Sequence, residues 1–330
     1  MKIVIIGCGV AGCTAAKKVR ELDPRAEITV IDREGHGLYS RMRLPETLAG
    51  TLPEAKLILS SAEAIAAQGI QILSGVSAHS FDPSQKTVQL SNGDVLPYDK
   101  LILALGAEAS LPQIEGAESS MTLRSLEDVK RFLSLAENAK SATVIGGGLL
   151  GLENAHSLHS RGIQVSIVEF MPRLLPKQLT EQESKVLQEK FTEAGYQLCL
   201  GRKTISIATE AGKVRVTLDD GTVLQSDMVM ISAGIRPVTE LAKAAGAAVD
   251  RGIVVNARFE TSLRDVYAIG DCAQIGTVTY GLWIAAKDQG TALAEILCGK
   301  MESFESPVYQ PSLKIPGMKL NDLKTAAQSK

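Results

Sequence analysis

The sequence predicts an α/β fold built from two copies of one parallel-sheet architecture, and three observations lead there. First, an apolar run, Ile3 to Ile6, feeds directly into the turn Gly7-Cys8-Gly9-Val10-Ala11-Gly12. A helical stretch from Cys13 to Leu22 follows, and a second strand, Ala26 to Ile31, delivers Asp32 twenty residues beyond Gly12. Second, the series returns. Strand Ala142 to Ile145 enters Gly146-Gly147-Gly148-Leu149-Leu150-Gly151, a helix runs from about Leu152 to Ser160 or Arg161, and strand Gln164 to Val168 delivers Glu169 eighteen residues beyond Gly151. Third, each copy continues into a hairpin and a return strand. Thr87 to Leu90 and Val95-Leu96 flank Asn92-Gly93 and lead to Asp99 and Gly106. Lys213 to Leu218 and Val223-Leu224 flank Asp220-Gly221 and lead to Asp227 and Gly234. Two unrelated glycine turns would not carry matching hairpins.

Each part of the unit has a physical reason. An apolar strand followed by Gly-x-Gly-x-x-Gly and a helix is the pattern of a dinucleotide site. Gly7 permits the tight turn, Gly9 lets a pyrophosphate approach the backbone, and Gly12 lets the helix pack closely on its strand. The pyrophosphate then meets the unpaired N–H groups and positive end of that helix. Asp32 is placed to accept hydrogen bonds from the adenosine ribose. In the second copy Glu169 takes that position. An acid there binds a ribose 2′-hydroxyl and repels a 2′-phosphate, which favours NADH over NADPH. Arg173, four residues on, is a candidate partner for a 2′-phosphate and leaves that preference open.

Past Asp32 comes a turn cluster, Glu34 to Gly37, and then Leu38-Tyr39-Ser40-Arg41-Met42-Arg43-Leu44-Pro45-Glu46. Arg41 and Arg43 are either surface charges or a means of neutralising a pyrophosphate and bracing the far end of the cofactor. Leu57 to Gln68 reads as a helix, Ile70 to Val76 as a strand, and Tyr98 to Ala107 as a buried strand ending in a small-residue turn. Leu111-Pro112 and Glu115-Gly116 read as a linker. Ser125 to Ala139 reads as a helix opened by a Ser125–Asp128 capping box.

Composition removes other classes. The 330-residue chain is 45% hydrophobic with a net charge of -2, which argues against nucleic acid or an anionic membrane as the main partner. No apolar run approaches the roughly 18 residues of a membrane span, and Gly7, Gly9 and Gly12 break any signal-peptide reading of the N-terminus. A cytoplasmic protein is expected. Cys8, Cys13, Cys199, Cys272 and Cys298 are odd in number and scattered, which suggests neither disulfides nor a metal site. His156 and His159 read as an ordinary exposed pair.

After the second copy come Gly234-Ile235-Arg236-Pro237 and Thr261-Ser262-Leu263-Arg264-Asp265-Val266-Tyr267-Ala268-Ile269-Gly270-Asp271-Cys272. With both glycine motifs and the Ala104-Leu105-Gly106-Ala107 turn, nearly the whole chain resembles the FAD-dependent pyridine nucleotide-disulfide oxidoreductase superfamily. The resemblance implies two Rossmann-like domains, with the NAD domain (111–231) inserted in a discontinuous FAD domain (1–110 and 232–310). It implies FAD contacts at Gly7, Gly9, Val10, Ala11, Gly12, Asp32, Arg33, Arg41, Arg43, Val76, Ala104, Leu105, Gly106, Gly270 and Asp271, the last on the ribityl chain. NADH contacts are implied at Gly146, Gly148, Leu149, Leu150, Gly151, Glu169 and Gly234.

Two departures refine the resemblance. The dithiol members carry redox cysteines on the helix after the ribose-binding acid, where this chain has Tyr39 to Pro45 and no cysteine. Cys8 and Cys13 have a C-x-x-x-x-C spacing but lie in and just after the phosphate turn, where small apolar filling accounts for them. The arginine-bearing segment and Gly281-Leu282-Trp283-Ile284-Ala285-Ala286-Lys287-Asp288-Gln289-Gly290 are similar to the rubredoxin reductase and nitrite-reductase flavin-subunit branch. There the aromatic position, Trp283, lies near the flavin and the acid position, Glu153, near the nicotinamide. Ser312 to Leu320 resembles the start of a C-terminal interface domain, and 311–330 is expected as a short mobile tail, which leaves the oligomeric state open. The implied function is hydride transfer from NADH to FAD N5, with electrons passed on to rubredoxin, another iron or iron–sulfur protein, or a partner subunit. The rival readings are an NADH oxidase that uses oxygen or a small molecule, and a non-catalytic FAD/NAD-binding subunit.

Overall fold

In the computed structural model, which describes residues 1–328, the opening strand Lys2–Ile6 lies at the centre of a parallel five-stranded sheet. The strand order is Val266–Ala268, Lys100–Leu103, Lys2–Ile6, Glu27–Asp32, Gln71–Ser74. Ile3, Val4, Ile5 and Ile6 are all buried, as a strand covered on both faces requires. On one face, helix Val10–Leu22 packs along helix Trp283–Leu297 through small residues, and a Cβ built on Gly290 would stand 2.5 Å from the carbonyl oxygen of Ala11. Met1–Ser40, Ala55–Glu108 and Ile235–Gln310 form this first compact unit.

The second unit comprises Arg41–Glu54, Ala109–Gly234 and the chain from Pro311 onward. Its parallel sheet runs Gln197–Leu200, Gln164–Glu169, Ser141–Ile145, Met228–Ile231. Helix Leu149–His159 starts within the glycine motif, three residues earlier than the sequence pattern placed it. Helix Leu126–Ala136 opens with the expected capping box. Asp128 donates its N–H to Ser125 Oγ at 3.1 Å, and the Asp128 carboxylate accepts the Ser125 N–H at 2.8 Å.

The internal repeat extends to individual hydrogen bonds. Each hairpin closes on one bond, Leu90 N–H to Asp94 O and Leu218 N–H to Thr222 O, both 2.8 Å. Each exit acid then clamps the start of its central strand. Asp99 accepts the Lys2 N–H at 2.6 Å, and Asp227 accepts the Ser141 N–H at 3.0 Å. Both hairpins gain a third antiparallel strand, Ala78–Asp82 and Thr204–Glu210.

Three expectations need correction. Leu57 to Gln68 is not one helix. Ile58–Ser60 pairs as a strand with Leu38–Tyr39, and a short helix, Ala62–Ala66, begins only where Ser61 Oγ can accept the Ala64 N–H at 3.2 Å. The end of the chain is not a loose tail through 328. Leu313, Ile315 and Leu323 are buried, and helix Leu320–Gln328 packs on helix Glu181–Glu193, where Gln182 Nε2 donates to Ala327 O at 2.7 Å. His156 and His159 are half-buried, and His159 stacks on Tyr196 with ring centroids 4.4 Å apart.

Leu323→Ala should destabilise the protein by roughly 2–4 kcal/mol, the usual result of truncating a buried leucine; an unchanged thermal melt would show that the helix carries no packing load. Asp265, hydrogen-bonded by Lys100 and Lys86, has its carboxyl lowered from 3.8 to about 2. Its contribution is complete above the unfolded value and is lost as pH falls from about 4 through 2. Asp265→Asn should therefore lower stability at pH 7 and flatten the acid limb in that window, read from denaturant midpoints between pH 2 and 7.

Candidate functional site

The first glycine turn is closed at its ends and open in its middle. Gly7 has φ +113°, and a Cβ there would lie 2.2 Å from Ala104 O. A Cβ on Gly12 would lie 2.1 Å from Gly7 O, while one on Gly9 meets nothing within 4 Å. The outer glycines are thus fixed by packing, and the central one keeps a ligand-sized approach to the backbone. Helix Val10–Leu22 starts at Gly9 with no side-chain cap and no acid in its first turn. By contrast, Glu181–Glu193, like Leu126–Ala136, satisfies its first N–H groups with a capping box. A helix start left without a side-chain cap or a first-turn acid suits an anion.

Sequence-distant residues gather around this turn. Ala104 closes against Gly7, and Leu105 and Gly106 continue from it half-buried. Asp32 is buried, with Oδ2 accepting the Gly37 N–H at 2.8 Å, which fixes the carboxylate while leaving it further acceptor capacity. Arg33 is exposed and Val76 half-buried at the same sheet end. A Cβ on Gly270 would come within 2.9 Å of Ala11 Cβ, so the Gly270-Asp271 turn abuts the helix start. The Gly270 N–H donates to Gln289 Oε1 at 2.7 Å. Trp283, half-buried, opens the helix that carries Gln289 and Gly290. The sequence pattern gave Gln289 and Gly290 no role; a glycine inside a helix was the available signal.

The second turn repeats the geometry. Gly146 has φ +120°, and its Cβ would lie 2.3 Å from Ser232 O. A Cβ on Gly151 would lie 1.9 Å from Gly146 O, and one on Gly148 meets nothing within 4 Å. Helix Leu149–His159 also lacks a side-chain cap and a first-turn acid. Leu149 is half-buried, Leu150 exposed, and Gly234 follows the return strand in open space. Glu169 reaches back to this turn. Its carboxylate accepts the Gly147 N–H at 2.6 Å and the Met171 N–H at 2.7 Å. Arg173 is held within its own loop by Pro176 O and Glu181, both at 3.3 Å.

Three predicted residues form a separate group in the second unit. Arg41 donates to Arg124 O at 2.9 Å, and Arg43 forms a two-pronged pair with Glu46 at 2.9 and 2.6 Å. Glu153 is 8% exposed and accepts the Lys314 N–H at 3.0 Å. Burial raises its carboxyl above the ordinary value, opposed by Lys314. Cys8 and Cys13 are buried, and the Cys8 thiol is pushed far up by its hydrogen bond with Cys13 and by burial. Cys272 is fully buried and raised to about 11 by desolvation. No cluster of His, Cys, Asp or Glu among the described residues has metal-binding geometry, and no helix among them is long and apolar enough to cross a membrane.

Two open-centred glycine turns, each on an uncapped helix and each followed by a strand ending in an acid, define a protein with two dinucleotide sites. Both cradles fit their ligands, because a side chain at Gly9 or Gly148 would fill the approach that a pyrophosphate needs. Residues 1–290 match the pyridine nucleotide-disulphide oxidoreductase family, and the chain belongs to it. The chain is 33% identical to the assimilatory nitrate reductase electron transfer subunit of Bacillus subtilis (strain 168), over 96% of this chain and 42% of that protein. It is 32% identical to the rubredoxin-NAD(+) reductase of Alcanivorax borkumensis over 95% of this chain and 83% of that one. The solved NAD-dependent persulfide reductase from A. fulgidus superposes with a TM-score of 0.91 at 29% identity, covering 96% of this chain and 62% of that one. The chain thus spans less than half the length of the nitrate reductase subunit.

The geometry separates binding from folding. Gly9→Val should leave the fold intact and reduce FAD retention at least tenfold, and Gly148→Val should do the same to NADH affinity. Gly12→Val should unfold the first unit. FAD content after gel filtration, nucleotide titration and circular dichroism check all three.

Proposed function

We propose that this chain is an NADH-dependent flavoprotein reductase that delivers electrons to a protein acceptor, a small iron or iron–sulfur protein such as rubredoxin. The observation that carries this reading is the presence of two complete, open-centred dinucleotide cradles in one chain, with an acid on the second. The first cradle would hold FAD. Gly7, Gly9, Val10, Ala11 and Gly12 would surround its pyrophosphate, Asp32 and Arg33 its adenosine, and Val76, Ala104, Leu105 and Gly106 its length. Gly270 and Asp271 would take the ribityl chain. Arg41 and Arg43 are assigned to the same cofactor. The second cradle, Gly146, Gly148, Leu149, Leu150, Gly151, Glu169 and Gly234, would hold NADH.

FAD held in the first cradle would supply the redox chemistry, hydride acceptance and single-electron release. The protein contributes binding, orientation and electrostatics. Backbone N–H groups at the two helix starts counter the pyrophosphate charges. Glu169, already oriented by Gly147 and Met171, accepts from a ribose hydroxyl and repels a 2′-phosphate. Trp283 is assigned to the flavin ring and Glu153 to the nicotinamide, with burial biasing Glu153 toward its neutral acid. The hydride step requires no acid or base from the chain, and residues 14–198 contain no cysteine to relay electrons.

Anaerobic stopped-flow of the FAD-loaded protein tests the reading. NADH should bleach the flavin faster than NADPH, oxidised rubredoxin should restore it, and Glu169→Ala should shrink the NADH-over-NADPH preference at least tenfold. Re-oxidation by oxygen alone would move the protein to the NADH oxidases. No bleaching would leave an FAD/NAD-binding subunit.

A further inference from the structure

The two glycine cradles are superimposable in backbone logic but not in what lies beneath them. In the first unit the helix position three residues past the last glycine is Ala15, and the residue following the return strand is Ala104; both are apolar and buried. In the second unit the equivalent positions are Asn154 and Ser232. Asn154 is 0% exposed, and its Nδ2 donates to Ser232 Oγ at 3.0 Å. The Asn154 Oδ1 is buried and has no hydrogen-bond partner. The first unit demonstrates that this frame closes with two alanines. A buried amide with an unpaired oxygen is therefore not required for folding, and an unsatisfied buried polar atom calls for another explanation.

The placement supplies one. Ser232 follows strand Met228–Ile231 at the carboxyl end of the sheet, outside which α/β sheets bind their ligands. Its carbonyl closes against Gly146, and a Cβ on Gly151 would lie 3.4 Å from Ser232 Cβ. The side chain thus stands at the glycine cradle itself, half-buried. A serine hydroxyl has one donor and two acceptor positions. With Oγ accepting from Asn154, its proton is left to donate to another acceptor.

Resting on the reading that the second cradle takes NADH, we propose that Ser232 is a binding residue for the nicotinamide dinucleotide, donating its hydroxyl to a phosphate or ribose oxygen, and that Asn154 is the positioning residue that fixes its rotamer. The orphaned amide oxygen is the price of holding that rotamer from below. The first unit needs no such pair because alanine follows its return strand.

Isothermal titration of NAD+ into the FAD-loaded protein, which avoids turnover, tests this. Ser232→Ala should weaken NAD+ about tenfold and Asn154→Ala to a similar extent. In the Ser232→Ala background, Asn154→Ala should have no further effect on NAD+ affinity, because its role runs through the hydroxyl. The double variant re-creates the alanine pair of the first unit and should keep its FAD content and melting temperature. NAD+ affinity within twofold of wild type in Ser232→Ala would overturn the proposal. So would equal, additive losses from the two substitutions, which would mark Asn154 as structural. Ser232→Ala alone keeps the test valid if Asn154 variants fail to fold. Absence of NAD+ and NADH binding to the wild-type protein would instead overturn the assignment of the second cradle, and this proposal with it.

Discussion

Backbone approaching backbone, closer than any side chain allows, is the constraint on which this structure depends. At Gly7 the chain passes so near Ala104 O that a Cβ would sit at 2.2 Å, and at Gly12 so near Gly7 O that it would sit at 2.1 Å. Gly290 lets a second helix ride so close to Ala11 that a Cβ would sit 2.5 Å from its carbonyl oxygen. These contacts are what draw Asp271, 259 residues along the chain from Gly12, up to the start of the first helix. Dispersion and apolar burial hold the sheet together, but they are tolerant of volume-conserving exchange. The close approaches are not, because no residue larger than glycine can occupy them without moving main chain.

The repeat makes the same point by difference. Both units share the glycine spacing, the open central position, the hairpin bond and the exit acid that clamps the central strand. What varies is polar detail at fixed positions. Asp32 is steadied by Gly37 beyond the turn, whereas Glu169 reaches back to Gly147 inside it. A duplicated frame of this kind allows one copy to change its ligand chemistry while the packing that forms the cradle stays put. Two copies of one scaffold can then serve two different dinucleotides.

Much of this was legible because the signals are local. A run of β-branched residues, a glycine triplet at fixed spacing and an acid at the next strand end each follow from short-range sterics, and their repetition in order exposed the sheet strands and both cradles. The Ser125–Asp128 box was legible for the same reason. The misreadings arose where tertiary contacts decide. Leu57 to Gln68 has helical composition, yet its first residues pair with Leu38–Tyr39, and Ser61 sets the helix start. Leu313, Ile315 and Leu323 are too few and too widely spaced to announce a docked segment; tertiary contacts decide it, the helix of Leu323 against Glu181–Glu193 and Lys314 against Glu153 and Met42. Gln289 and Asn154 were invisible for a related reason. A buried amide is identified by its partner, and those partners lie 19 and 78 residues away.

The duplicated frame accounts for two nucleotides and leaves the electron acceptor unspecified, since one fold hosts many chemistries. On the proposed function, selectivity toward an acceptor would reside outside the repeat. Two segments of the second unit lie apart in sequence from its main stretch, Ala109–Gly234: Arg41–Glu54 and the chain from Pro311. They are tied to each other and to one helix. Lys314 Nζ donates to Met42 O at 2.9 Å, the Lys314 N–H to Glu153 at 3.0 Å, and Ser157 Oγ to Pro45 O at 2.7 Å. Glu153 and Ser157 lie four apart on helix Leu149–His159, the helix that starts at the second cradle. These two segments are therefore fastened to the helix that starts at the second cradle. This is where a change in acceptor would leave both cradles untouched.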